Sequence, residues 1–213
     1  MIDTQSLRTK ILDMAVRGNL YPENQNLSTV NDLLMQISER KEYLIKENAL
    51  KRENQLPTIS DTEIPYELPN HWKWVRLGDY AEKVTDYVAS GSFQSLRENA
   101  PSLKTKNYAI LVKTADFSNG FTKNLTYTTE RGYHFLENSN LYGGELILSN
   151  IGSIGKVFIV PKLSQKMTLA PNSVMIRLTE EGLRDYLYYF LLSPAGYRAL
   201  DMISSGTAVK KFN

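Results

Sequence analysis

The stretch IPYELPNHWKWVRLGD, Ile64–Asp79, is where the chain changes character. Pro65 and Pro69, with Pro57 ahead of them, remove backbone donors and push each preceding residue toward extended geometry. No long helix runs through such a segment. Beyond Pro69 comes Trp72-Lys73-Trp74-Val75-Arg76-Leu77, an alternation expected of a half-buried strand whose two tryptophans share one core-facing side. The organisation that follows is a helical assembly segment over 1–56, a linker over 57–71 and a strand-rich domain over 72–213.

Upstream, Leu7, Ile11, Met14 and Ala15 recur at helical spacing, and Gly18 stands where a helix would end. A second helix starts at Ser28 or Thr29, either of which can cap it, with Asp32 in its first turn. Its apolar face is Val30, Leu33, Leu34, Ile37, Leu44 and Ile45. Its outer face pairs Glu42 with Lys46 and Glu47 with Lys51 at i,i+4 spacing. The two helices read as a hairpin that packs rather than one that reads DNA. The stripe Leu7, Ile11 and Met14 exceeds what a short hairpin can bury, so it is a candidate partner-binding surface.

Downstream, strands are expected over 108–113, 145–149, 156–160 and 173–178, with a turn at Gly143-Gly144. Leu183 to Leu192 reads as a buried helix. Ser193 then caps a second short helix, with Pro194 at its first position, that runs to about Ile203. The fold class is α+β: an N-terminal helical hairpin, then a mixed α/β domain with a twisted, largely antiparallel sheet.

Composition removes several kinds of chemistry. The chain has no cysteine, which excludes disulfides, thiolate nucleophiles and Cys-based zinc sites. Its two histidines, His71 and His134, are too few for a multi-histidine metal site, and no carboxylate motif frames them. Gly152-Ser153-Ile154-Gly155-Lys156 lacks phosphate-loop spacing, and Val157 stands where the metal-binding hydroxyl belongs. No dinucleotide glycine pattern and no Asn-Pro-Pro-aromatic motif occurs. Glu39-Arg40-Lys41 has a nuclease-like spacing but lies on the outside of a helix. Neither a catalytic nor a metal-binding residue is expected. The apolar run Tyr186–Leu192 is far too short for a bilayer, and Met1–Thr4 does not begin a signal peptide, so a cytoplasmic protein without membrane contact is expected.

The net charge of +2 is distributed unevenly. Acidic residues are absent from Asn99 to Ala115 and from Leu146 to Thr179. The candidates for phosphate contact in these stretches are Lys104, Lys106, Lys113, Lys156, Lys162 and Lys166. The candidates for reading bases are Ser90, Ser92, Gln94, Asn150, Ser153, Asn172 and Ser173, all polar and placed in expected loops. Gly152 and Gly155 fit a tight hairpin equally well. From the residues alone three readings stand: a DNA-recognition domain, a protein-interaction module with no DNA role, and a diverged small nuclease or methyltransferase.

Three ordered stretches resemble the specificity subunits of type I restriction-modification systems. They are Leu7–Leu20 (LRTKILDMAVRGNL), then Ile64–Asp79, then the series Gly144–Ser149, Gly152–Lys156 and Ser205–Ala208. The first is similar to that family's conserved-region helix, the second to the phrase opening a target-recognition domain, the third to later landmarks of that domain. The resemblance implies a non-catalytic recognition subunit that reads one half of a split site in double-stranded DNA. It implies two methyltransferase subunits docked on the helices, a restriction subunit beyond them, and self-association through the conserved helices. S-adenosylmethionine, magnesium and ATP would belong to those partners, with no cofactor in this chain. The pattern is departed from in one respect: only one recognition domain is present, and the chain ends at Asn213, where a second conserved helix is expected.

Overall fold

Asp3 opens the first helix by accepting the amides of Gln5 and Ser6 at 3.1 Å, and α1 then runs over Thr4–Val16 in the computed structural model. The structure describes residues 3–20, 30–52, 54–149, 156–205 and 211–212. Helix α1 stops at Gly18, whose φ of +73° is the left-handed geometry that ends many helices. Helix α2 (Val30–Lys46) buries Ile37, while the proposed caps Ser28 and Thr29 lie outside the described residues. Glu42 does not take Lys46 as its hydrogen-bonded partner. It binds Arg52 through two parallel bonds of 2.8 and 2.7 Å, since a guanidinium fork matches a carboxylate better than an ammonium does. The Lys41 ammonium donates to the Gly78 carbonyl and ties α2 to the short helix α3 (Leu77–Tyr80).

Two four-stranded sheets follow. Strand β1 (Lys83–Asp86) leads through a 3-10 turn at Tyr87–Ser90 to α4 (Phe93–Asn99), β2 (Ala109–Val112) and α5 (Thr114–Ser118). Next come β3 (Tyr127–Thr128), α6 (Glu130–Phe135), β4 (Asn140–Leu141) and β5 (Leu146–Ser149). Strands β6 (Val157–Ile159), β7 (Lys166–Leu169) and β8 (Ser173–Arg177) complete them. One sheet has the order β3-β2-β7-β4 and the other β1-β8-β5-β6. Strand β3 on β2, β4 on β7, and β6 and β8 on β5 pair antiparallel, but β2 and β7 run parallel, Ala109 opposite Lys166 through Val112 opposite Leu169.

The sheets meet through Ile110, Val112, Leu141, Met167 and Leu169 from one and Ile147 and Met175 from the other. Leu111, pointing the opposite way on β2, packs with Leu96 of α4, with Ala100 just after that helix and with Leu136. Strand β2 is therefore buried on both faces, which explains why its sequence is a continuous apolar run. Strand β7 has the same cause: Met167, Thr168 and Leu169 are all buried, so no alternation announced it.

Helices α7 (Glu181–Leu192) and α8 (Pro194–Met202) are joined at Ser193. Its hydroxyl accepts the Gly196 amide at 3.1 Å and donates to the Phe190 carbonyl at 2.6 Å, capping one helix and closing the other. A last antiparallel pair joins β9 (Ser204–Ser205) to β10 (Lys211–Phe212). The chain forms two compact units, Met1–Lys83 with Leu178–Ala199, and Val84–Arg177 with Leu200–Asn213. Segment 178–199 is thus grouped with the N-terminal helices.

Trp72–Leu77 is not a strand, contrary to its alternation. The rings find a helix instead of a sheet. Trp72 sits edge-on to Tyr186 at 5.5 Å, and Trp74 to Phe190 at 6.4 Å and Tyr66 at 4.9 Å. Both tryptophans are half-buried with Lys73 exposed between them, so the sidedness holds without the ladder. Among the described residues no helix is long and apolar enough to cross a membrane.

Candidate nucleic-acid interface and helical groove

The turn before β5 is built around one carboxylate. Gly143 and Gly144 both take left-handed φ, +95° and +98°. This lets Glu145, 3% exposed, fold back and accept the amides of Tyr142 at 3.0 Å and Gly143 at 2.9 Å. Arg177 closes the pair at 3.1 Å and also donates to the Asn140 carbonyl at 2.7 Å. The Arg177 guanidinium lies over the exposed Tyr142 ring, 4.8 Å from its centroid.

Register places a second basic-aromatic contact beside it. Leu141 pairs with Met167, so Lys166 at the start of β7 stands near Tyr142. The Lys166 ammonium donates to the Tyr108 hydroxyl at 2.6 Å and lies 4.7 Å from the Tyr108 ring and 5.2 Å from the Tyr133 ring. The bond to Tyr108 raises the Lys166 pKa above its ordinary value. Gln165 donates to the Asn107 carbonyl at 2.6 Å and holds the loop bearing Lys104 and Lys106 at its entry to β2. Lys162 packs against Gly143, where an added Cβ would meet the Lys162 Cα at 2.9 Å.

The six lysines therefore do not form one cluster. Lys166 and Lys162 lie at the end of the strands where β2 and β7 begin. Lys113, after β2, and Lys156, whose carbonyl accepts the Ser149 amide, lie at the opposite end with Asn172. Four strand rises separate Lys166 from Ala170, roughly 13 Å. The lysines also differ in freedom. Lys113 is already engaged, donating to the Thr126 hydroxyl at 2.8 Å and the Asn124 carbonyl at 3.1 Å, with Asp116 at 3.7 Å. Lys104, Lys106, Lys156 and Lys162 are exposed and have no side-chain partner among the described residues.

The polar candidates divide in the same way. Ser173 is a correction: as the first residue of β8, opposite Ser149, it is 2% exposed and not on a loop surface. Ser92 caps α4, accepting the Ser95 amide at 3.2 Å, and Gln94 is exposed with its amide on Glu98 at 3.0 Å. The Ser90 hydroxyl is buried and has no hydrogen-bond partner among the described residues. Asn172 is exposed at φ +68°, a geometry asparagine tolerates in turns. Asn150 and Ser153, like Gly152, Gly155 and the Gly206–Ala208 landmark, lie outside the described residues. Tyr108 and Tyr142 carry no signal in the sequence beyond Tyr142 adjoining the glycine pair, while Arg177 stands with the lysines of the second acid-free stretch but not among the candidate phosphate contacts.

In the helical unit, Leu7, Ile11 and Met14 are 50, 48 and 45% exposed. Leu7 and Ile11 line an open groove of about 710 Å³ with Tyr186, Tyr189 and Leu192; Met14 is not part of its wall. The floor is held by α1 packing on α7 and by Tyr186 and Tyr66, whose hydroxyls donate to the Val16 carbonyl at 3.4 and 3.3 Å. Burial raises the pKa of both phenols, keeping them neutral donors. Gly18 receives Pro69 and Trp72 so closely that a Cβ would meet them at 2.9 and 3.0 Å.

No protein-family profile matches the chain. Over 83 residues it is 40% identical to the type I restriction enzyme EcoAI specificity subunit of Escherichia coli, covering 39% of this chain and 14% of that protein. It is 27% identical over 220 residues to the type I restriction enzyme EcoEI specificity subunit, also of Escherichia coli, across 98% of this chain. The chain spans about a third of the EcoEI subunit's length (35%). The chain is thus similar to part of two type I restriction enzyme specificity subunits.

Proposed function

We propose that this chain recognises a DNA sequence as the specificity component of a type I restriction-modification enzyme and carries out no catalysis itself. The observation that carries the reading is the similarity to one specificity subunit across 98% of the chain, helices and sheets together. Surface chemistry supports it. Lys104, Lys106, Lys156 and Lys162 are exposed in acid-free stretches without competing partners among the described residues, as phosphate contacts require. Asn172, Ser92 and Gln94, with Asn150 and Ser153, are the proposed base readers. The groove walled by Leu7 and Ile11 is the proposed seat of methyltransferase subunits, which with the restriction subunit bring S-adenosylmethionine, magnesium and ATP. The assembly works in the cytoplasm on one bipartite site.

Fluorescence anisotropy with duplex DNA across a salt series tests the phosphate face. Four phosphate-bound lysines release counterions and give a log–log slope of about −3.6. Changing each to Ala removes roughly 0.9 from its magnitude without altering sequence preference. A slope that all four substitutions leave untouched refutes this face. Binding that ignores salt favours the protein-interaction reading. A metal-dependent nick or methyl transfer by the chain free of partners favours the diverged-enzyme reading.

A further inference from the structure

Hydrogen-bond donors gather around the start of β7, brought there by the ends of four strands. Tyr108 precedes β2, Tyr142 follows β4, Lys166 opens β7 and Arg177 closes β8. Tyr142 and Lys166 are the positions just beyond the Leu141–Met167 pair, which sets them opposite one another. The Lys166 ammonium gives one of its three donors to the Tyr108 hydroxyl at 2.6 Å and keeps two. Tyr108, accepting there, retains its own proton to donate. Arg177 uses Nε on Glu145 and Nη2 on Glu145 and Asn140, while its Nη1 has no hydrogen-bond partner among the described residues. The same holds for the hydroxyl of Tyr142, whose ring is 64% exposed with the Arg177 guanidinium over it. Burial raises the Tyr133 pKa, and Tyr142, Lys166, Tyr108 and Arg177 all act on that phenol too, so these polar groups share one neighbourhood.

The carboxylates nearby leave the set positive. Glu145 is 3% exposed, and its two oxygens already accept from Tyr142, Gly143 and Arg177. It balances Arg177, so Lys166 supplies the net charge. Glu130 is exposed and acts least on the Lys166 pKa, where the Tyr108 bond acts most. Glu137 precedes β4, which runs antiparallel to β7, and so lies toward the far end of β7. Two cations and two phenols, all donors, fit an oxyanion, and arginine, lysine and tyrosine are among the side chains that hold DNA phosphates. Lys162 packs on Gly143, and Gln165 holds the loop of Lys104 and Lys106, so further cations flank the set. That extension suits a chain of phosphates better than a single small anion. We infer that Lys166, Arg177 and the hydroxyls of Tyr108 and Tyr142 form a site that grips one backbone phosphate of the recognised duplex. The inference rests on the DNA-recognition reading above and adds a contact to the four lysines named there.

The test uses the chain assembled with its methyltransferase and a duplex bearing the methylated motif, followed by fluorescence anisotropy. Each phosphate is replaced in turn by a neutral methylphosphonate. At one position the replacement should weaken wild-type binding roughly tenfold, the worth of a hydrogen bond to a charged group, and leave Lys166→Gln almost unaffected. Lys166→Gln should also lower the magnitude of the log–log salt slope by about 0.9. Tyr142→Phe removes a neutral donor and keeps the ring, so it should weaken binding while leaving the slope and the melting temperature alone. A scan with no position that distinguishes the wild type from Lys166→Gln overturns the inference, as does wild-type affinity in both variants. So does a flat scan in which inorganic phosphate, at constant ionic strength, raises the wild-type melting temperature: the site then takes a free anion. Failure of the wild type to bind any duplex would instead sink the DNA reading, and this inference with it.

Discussion

Gly18→Ala should destabilise the helical unit by about 3 kcal/mol. Two separate costs make up that figure. Holding a residue with a Cβ at left-handed φ, here +73°, costs about 1–2 kcal/mol. The new methyl would also meet Pro69 Cγ at 2.9 Å and Trp72 Cε2 at 3.0 Å, closer than carbon atoms pack. Relieving that contact means moving a proline ring or an indole that Tyr186 already abuts at 5.5 Å, an overpacking cost of about 1–3 kcal/mol. Gly120→Ala separates the two: Gly120 has φ +57° with nothing within 4 Å of an added Cβ, so it bears the backbone cost alone. Trp72 lies against Gly18, and Trp74, the other tryptophan of the chain, packs on Tyr66 and Phe190 of the same unit, so urea unfolding followed by tryptophan emission reads the affected unit. Circular dichroism reads the Gly120 variant. If Gly18→Ala loses no more stability than Gly120→Ala, the close approach of Pro69 and Trp72 is not what selects glycine there.

Three other perturbations follow from particular contacts. Glu145→Gln leaves Arg177 without its charged partner beside a turn that needs two acceptors, and urea unfolding should show a loss of about 2 kcal/mol; a change under about 0.5 contradicts that role. Arg76 binds Glu63 through bonds of 2.6 and 3.0 Å, and with Ser60 it holds the carboxyl at a pKa of about 2. Because the folded value lies below the ordinary one, this contribution is full above about pH 4.5 and is lost as pH falls toward 2. Carbon-detected NMR should place the Glu63 midpoint near 2 and move it up toward the usual carboxylate range in Arg76→Ala; equal midpoints refute the pairing. Leu7→Asp with Ile11→Asp puts two charges in the groove wall and should abolish co-purification with methyltransferase while circular dichroism stays unchanged. Met14→Asp, outside that wall, should have the smaller effect; the reverse order would move the docking surface elsewhere on α1.

What could be read from sequence was what local chemistry decides. Gly18 as a helix end, Ser193-Pro194 as a cap and the strands at 109–112, 146–149, 157–159 and 173–177 follow from turn residues and apolar runs. What could not be read depends on partners distant in the chain. Trp72–Leu77 has a strand's alternation, yet α7, more than a hundred residues on, supplies aromatic rings and no ladder. Strand β7 is hidden because burial on both faces erases alternation. The candidate site fared likewise. Charge runs located the lysines but not their pairing, since only the fold puts Thr126 on Lys113 and Tyr108 on Lys166. Ser173 begins an expected strand, but the burial of its side chain depends on the long-range ladder to Ser149, which local sequence does not show.

Mapping methylated bases across the host genome most directly tests whether this chain chooses a DNA sequence. The comparison is between cells with the gene, cells without it, and cells in which residues 84–177 are exchanged for the same stretch of a relative with a different sequence. The account predicts a methylated bipartite motif that disappears with the gene and changes in one half, with its spacing kept, after the exchange. A motif that is identical in all three strains would contradict it.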